Sequence, residues 1–169
     1  MSTKVQEKQA EKSAKKAEKR TKLCLISSSG GHYEQLRMLK KLGEKYDLFW
    51  VTEKTDYSAE ADYYLSQTGL KDGWMIFRMI GNCFKTLRFW IKEKPQAVIT
   101  TGTMIALPVC FLARLCGKKV IYIESFARVR DCTRAGKLIY KLKVANLFIY
   151  QWEYLEEIYP NGVYGGSIY

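Results

Sequence analysis

The feature that most constrains this chain is a recurring alternation. Short apolar runs lie at residues 23–27 (LCLIS), 48–52 (LFWVT), 97–100 (AVIT), 120–123 (VIYI) and 147–150 (LFIY), separated by longer amphipathic stretches. A strand that faces water on one side alternates apolar and polar residues; these runs do not, so each is expected to be covered on both faces. Between them the apolar period lengthens. Leu36, Leu39, Lys40 and Leu42 fall at helical spacing in a segment that Gly43 closes, which predicts a helix over 32–45. The same reasoning predicts helices over 80–92, 104–116, 134–142 and 153–158, a polar helical stretch over 58–67 and a short strand over 74–77. Strand and helix alternate about five times, the pattern of a Rossmann-like α/β fold: a parallel sheet with helices on both faces.

Length allows one such domain and no more. Residues 1–21 form a charged basic tail of Lys, Glu, Ala and Gln without an apolar stripe, helical or disordered, and the domain is expected over 22–169. The chain carries 28 Lys and Arg against 17 Asp and Glu; the first 22 residues hold eight of the cations and three of the acids, so the body keeps a net charge of +6. A body that stays basic without its tail expects an anionic partner. The five cysteines show no C-x-x-C pair and sit inside apolar runs, as reduced buried thiols do, and a single histidine leaves no plausible zinc site. Nothing in the sequence calls for a metal or another cofactor. The polar N-terminus does not read as a signal peptide, and the longest apolar run, 104–115, is shorter than the ~20 residues a helix needs to cross a bilayer. A protein that lies on a membrane or stays in solution is expected.

In folds of this kind ligands bind beyond the carboxyl ends of the strands, so the residues after each strand are the candidates. After the first come Ser27, Ser28, Ser29, Gly30, Gly31 and His32. Two glycines let the backbone approach a ligand, the helix that follows offers free N–H groups to an anion, and His32 can hold or take a proton. A tight turn with a solvated histidine is the plainer alternative. The segment is neither a G-x-G-x-x-G fingerprint nor a P-loop. After the third run come Thr100, Thr101, Gly102 and Thr103, a second hydroxyl-rich turn suited to phosphate. After the fourth come Glu124 and Ser125, then Arg128, Arg130 and Arg134. Glu124 stands where a base or a sugar-hydroxyl acceptor would, or else pairs with an arginine; Arg128 and its neighbours are a phosphate clamp or a solvated run.

Two stretches bear on membranes: the run 104–115, apolar nearly all round, is a core helix or a surface that dips into lipid, and the other is amphipathic. Arg78, Lys85, Arg88 and Lys92 share one face of the stretch 75–92, and Ile76, Ile80, Phe84, Leu87 and Ile91 share another, with Phe89 and Trp90 at the edge. A basic amphipathic helix with aromatic flanks suits the membrane interface; an ordinary sheet-covering helix with a basic outer face is the alternative. The aromatic C-terminal segment invites comparison with base-stacking surfaces, but no nucleic-acid recognition module accompanies it, and no nucleic-acid partner is expected.

SSSGGH, TTGTMIALP and the series IYIESFARV, GKLIY, QWEYLEEIYP and YGGSI occur in the order seen in one family. Together they resemble bacterial PssD/CpsF/EpsE-type polysaccharide-biosynthesis proteins, relatives of the eukaryotic membrane-anchoring subunit of the UDP-GlcNAc transferase of dolichol-linked oligosaccharide synthesis. The resemblance runs from about residue 22 to 169 and is most specific over 121–140. It implies the N-terminal half of a GT-B glycosyltransferase whose UDP-sugar-binding half is a separate partner subunit, while this half takes a polyprenyl-diphosphate-linked sugar at an anionic membrane surface. The product would be a capsule or exopolysaccharide repeat unit, made on the cytoplasmic face of the cell membrane by a peripherally attached protein.

By the same resemblance Ser29, Gly30 and Gly31 would meet the acceptor diphosphate, with Thr101, Gly102, Ser125 and Arg128 around it. His32 or Glu124 would deprotonate the acceptor hydroxyl, His32 being the first choice. Gln151, Trp152 and Glu153 match a motif expected to be structural or at the partner interface, and Arg134-Ala135-Gly136 departs from the smaller, hydroxyl-rich approach expected before that glycine. Against this reading stands a non-catalytic membrane adaptor that recruits and enhances a partner transferase.

Overall fold

A computed structural model describes residues 20–56, 59–67 and 74–169. The tail read over 1–21 lies almost wholly outside the described residues, as does Ser58. Seven parallel strands form one sheet in the order β3-β2-β1-β4-β5-β6-β7. They are β1 (Lys22–Ile26), β2 (Asp47–Lys54), β3 (Tyr63–Ser66), β4 (Ala97–Thr100), β5 (Lys119–Ile123), β6 (Leu147–Tyr150) and β7 (Val163–Tyr164). The order reverses between β1 and β4, where Leu25 is flanked by Trp50 on one side and Ile99 on the other. The Rossmann-like α/β architecture read from the sequence is the one observed.

The non-alternating runs have the cause inferred for them. One side chain in two points to a large core built from Cys24, Ile26, Phe49, Val51, Val98, Val120, Tyr122 and Phe148 beneath the helices α2 (Met75–Glu93), α3 (Leu107–Leu115) and α4 (Arg134–Lys141). The others, Leu23, Leu25, Ile99 and Ile123, meet Leu36, Leu39 and Leu42 from α1 (Gly31–Arg37) and the 3-10 segment Met38–Glu44 that continues it.

Four segments differ from the sequence reading. The described part of 58–67 holds no helix: Tyr63–Ser66 is an edge strand whose Val51↔Tyr63 register extends β2. Two tyrosines and a leucine suit a pleated surface, and the Asn82 side chain from α2 donates to Ser66 O and accepts from Ser66 N, both at 2.8 Å, capping the strand end. The stretch 74–77 is not a strand. Trp74 is the N-cap residue of α2, and the three-to-four-residue period carries the helix over 19 residues to a left-handed Lys94, after which Pro95 forbids continuation. Residues 153–158 shrink to the 3-10 turn Glu153–Leu155 before Pro160, and the terminal β7 had no run long enough to announce it.

Helix α2 is built unlike an ordinary cover. The face against the sheet carries Asn82, Thr86, Phe89 and Trp90, all buried. Trp90 is 7% exposed and packs in the core, so it is not an aromatic flank at the helix edge. Ile76, Phe77, Ile80, Phe84 (70% exposed), Leu87 and Ile91 instead face outward, beside the exposed Arg78, Lys85, Arg88 and Lys92.

Candidate functional site

The reversal between β1 and β4 marks the carboxyl edge of the sheet where folds of this kind hold a ligand crevice, because the chain leaves the two strands toward opposite faces. Two turns line it. The first runs from buried Ser27 and Ser28 through Ser29 to Gly30, whose φ of +78° is a conformation that favours glycine. Gly30 O accepts from Tyr33 N (2.9 Å) and Glu34 N (3.1 Å), which starts α1. A Cβ at Gly30 or Gly31 would meet nothing within 4 Å, so this backbone fronts open space. The second turn follows β4: Thr100 Oγ1 accepts from Gly102 N at 3.0 Å, and Gly102 has φ +98°.

His32 joins the two turns. Its Nδ1 lies 2.9 Å from Thr101 O, and Thr101 Oγ1 donates to His32 O at 2.8 Å. A carbonyl only accepts, so Nδ1 carries a proton, and in the neutral ring Nε2 then holds the lone pair. His32 is half-buried. The arrangement presents an oriented acceptor nitrogen beside an open glycine turn, which is what proton abstraction from a bound hydroxyl requires.

Sequence reasoning missed a carboxylate here. Glu53, near the carboxyl end of β2 and 8% exposed, accepts from Ser29 N (3.3 Å) and Ser29 Oγ (3.2 Å). Burial raises its pKa, and the Ser29 hydrogen bonds and nearby His32 oppose that rise. Its signal was positional: a carboxylate ending the strand next to the glycine turn.

Glu124 is placed quite differently. It is fully buried. Its Oε1 accepts from Ser125 N (2.8 Å) and Thr133 Oγ1 (2.9 Å), and its Oε2 from Tyr159 OH (2.6 Å) and Thr133 N (3.3 Å). Burial and Glu124 together push the Tyr159 phenol far up, so it stays a donor. Gly136 of α4 lies over the carboxylate, and a Cβ there would collide with Glu124 Oε2. The hydroxyl looked for before that glycine is Thr133, the N-cap of α4, whose Oγ1 accepts from Gly136 N at 3.0 Å.

The remaining candidates divide. Ser125 is buried and ties back to Glu124; Arg128 is half-exposed and pairs with Asp131 at 2.6 Å, while Arg130 lies over the Tyr154 ring at 5.0 Å. Gln151 Nε2 donates to Glu124 O (2.8 Å) and Trp152 Nε1 to Phe126 O (2.7 Å), bonds that anchor the loop after β5, whereas Glu153 is exposed. Among the described residues no three His, Cys, Asp or Glu side chains converge as metal ligands would, and no helix is long and apolar enough to cross a membrane.

Comparisons with known proteins now bear on this geometry. The protein-family profile described as "Oligosaccharide biosynthesis protein Alg14 like" matches residues 71–168. The UDP-N-acetylglucosamine transferase subunit ALG14 of Homo sapiens is 30% identical over 179 residues, covering 86% of this chain and 82% of the human protein. The subunit of the same name from Rattus norvegicus is 28% identical with the same coverage. Among solved structures, Acinetobacter baumannii MurG superposes with a TM-score of 0.61 at 17% identity, over 78% of this chain and 41% of MurG. That likeness is one of fold, and the chain spans less than half the length of MurG.

Proposed function

Because this chain belongs to the Alg14-like family of oligosaccharide biosynthesis proteins, we propose that it is the acceptor-binding, membrane-associated subunit of a two-component glycosyltransferase. The reaction moves a sugar from a UDP-sugar to a polyprenyl-diphosphate-linked sugar. The partner subunit carries the UDP-sugar-binding half, and this chain alone is inactive or weakly active. The relatives, subunits of a UDP-N-acetylglucosamine transferase, support the donor class. The resemblance of SSSGGH, TTGTMIALP and IYIESFARV to PssD/CpsF/EpsE-type motifs is what supports a capsule or exopolysaccharide product.

The observation that carries the reading is the oriented His32 at the crevice. In the transfer step Nε2 takes the proton of the acceptor hydroxyl as its oxygen bonds the donor sugar's anomeric carbon. The bond from that carbon to UDP breaks, and UDP leaves with the electron pair. One displacement inverts the anomeric configuration. The open backbone of Gly30 and Gly31, with Ser29, Thr101, Gly102 and Arg128, receives the acceptor diphosphate. Glu124 and Ser125 follow β5, the strand beside β4, and are buried there.

The outward apolar face of α2 supports membrane association. Parallel topology puts the start of α2, with Trp74 and Phe77, at the same sheet edge as the crevice. Laid on the cytoplasmic face of an anionic membrane, α2 buries Ile76, Ile80, Phe84, Leu87 and Ile91 at the acyl boundary and sets Arg78, Lys85, Arg88 and Lys92 at the headgroups. That brings the crevice to a lipid-linked acceptor.

The same exposed face favours a second reading, a membrane adaptor whose partner holds all the chemistry. Glycosyl transfer to a polyprenyl-diphosphate sugar in membranes, measured with this chain, with its partner and with both, separates them. Transfer only by the pair is the expected result; full transfer by the partner alone makes this chain the adaptor.

A further inference from the structure

The sealed Glu124 cluster and the open His32 crevice are connected. Thr133 Oγ1 lies 2.9 Å from Glu124 Oε1, 2.9 Å from Tyr122 OH and 3.0 Å from Gly136 N. A hydroxyl has one proton and two acceptor positions. The Gly136 N–H can only donate to it, and its own proton goes to Glu124, so the remaining position takes the proton of Tyr122. Burial raises the Tyr122 phenol well above its ordinary range, which keeps that proton in place. The ring is held independently by stacking on Phe148, centroids 4.9 Å apart.

The far side of the Tyr122 oxygen faces the second turn of the crevice. A Cβ at Gly102 would stand 3.1 Å from Tyr122 OH and 3.8–3.9 Å from His32 Cε1 and Nδ1, so the phenol and the imidazole both border the side of Gly102 where a side chain would stand. Thr101, one residue earlier, supplies both groups that hold His32. We propose that Glu124, Thr133 and Tyr122 form a positioning chain for His32: they fix the Thr101–Gly102 turn so that the Thr101 carbonyl keeps the ring proton on Nδ1 and leaves Nε2 as the base. Glu124 thereby acts on the reaction without touching it. The proposal rests on the reading of His32 as the base, but the orientation of the ring is measurable without any reaction.

His32 is the only histidine of the chain, so the full chain labelled with 15N-histidine, bound to its partner, gives one pair of ring nitrogen signals from this subunit. At mildly alkaline pH the unsubstituted protein is expected to show a protonated Nδ1 and an unprotonated Nε2. Tyr122→Phe keeps the stacked ring and removes the hydroxyl. It is expected to pull both signals toward a tautomer mixture and to lower kcat about tenfold with KM within about twofold. Thr133→Val is expected to do the same and Thr133→Ser to restore the original signals, so the test survives poor folding of either Tyr122→Phe or Thr133→Val. Tyr63→Phe, which removes the hydrogen bond to Glu93 near the other end of the sheet, is the control. Unchanged His32 signals in Tyr122→Phe and Thr133→Val overturn the proposal, and so does an equal displacement in Tyr63→Phe. Full transfer by His32→Asn, with the displaced signals still seen in Tyr122→Phe, removes the base reading and leaves the positioning chain standing.

Discussion

Two carboxyl-end loops of one sheet were candidates for the same chemistry, the His32 loop being the first choice, and the fold treats them oppositely. After β1, a glycine turn leaves His32 half-buried beside backbone that fronts open space. After β5, Glu124 has no exposed surface, and four donors surround its oxygens. The strand ends are alike; what packs above them is not. Gly136 brings α4 onto Glu124, and Tyr159 reaches it from 35 residues along the chain. A carboxylate at a strand end is therefore a candidate only until the helix over it is known.

That contrast can be strained from the sealed side first. Glu124→Ala removes the acceptor of two hydroxyls and two backbone N–H groups in a closed space; a loss of about 3–5 kcal/mol in urea unfolding is expected. A loss below about 1 kcal/mol would mean that water reaches the cluster. Glycine-to-alanine changes sharpen the point by their sign. Gly136→Ala drives a methyl into Glu124 and Thr133 and is expected to cost about 2–3 kcal/mol. Gly81→Ala, within α2 and with nothing within 4 Å of the added Cβ, is expected to stabilise by up to about 1 kcal/mol.

The contrast extends to α2, whose apolar residues Ile76, Phe84 and Leu87 are exposed while Asn82 and Thr86 are buried with Phe89 and Trp90 against the sheet. Phe84→Glu is expected to weaken binding to anionic lipid vesicles about tenfold without changing the melting temperature, measured by co-sedimentation. A melting temperature that falls instead would show that the face is covered by protein. The smallest effect lies at the amino edge of the sheet. Lys22 Nζ and Tyr63 OH hold Glu93 at 2.8 and 2.5 Å and lower its pKa, with the Lys22 bond the larger cause. A carboxylate whose folded pKa is depressed adds stability at neutral pH that is lost as pH falls below its unfolded value of about 4.3, through the folded one. Glu93→Gln is expected to flatten the acid limb of melting temperature against pH, leaving the slope above pH 6 as it was.

The wound sheet was legible because its strands lack polar alternation, and the placement of His32, Gly30 and Gly102 was legible because ligand-facing turns in such folds follow the carboxyl ends of the strands. Residues 63–66 were not, since a four-residue edge strand is too short to show a period and its pairing with β2 is non-local. Trp74 to Phe77 misled because WMIF is rich in strand-favouring residues, while the period that decides the helix only emerges further along. Trp90 misled for a related reason: the amphipathic pattern located two faces of α2, and a third, carrying Asn82 and Thr86, makes the contact with the sheet. Glu53 and Tyr122 joined the site through partners 24 and 11 residues away, distances at which a local pattern carries no signal.

The central claim is that His32, and not Glu124, meets the acceptor hydroxyl. It is tested most directly by single-turnover transfer with the assembled pair of subunits, comparing the unsubstituted chain with His32→Asn. Asn keeps a donor for Thr101 O but supplies no basic nitrogen. The account predicts an intact complex, acceptor binding within about threefold, and a transfer rate lowered by about 10²–10⁴. Transfer within about twofold of the unsubstituted pair would contradict it.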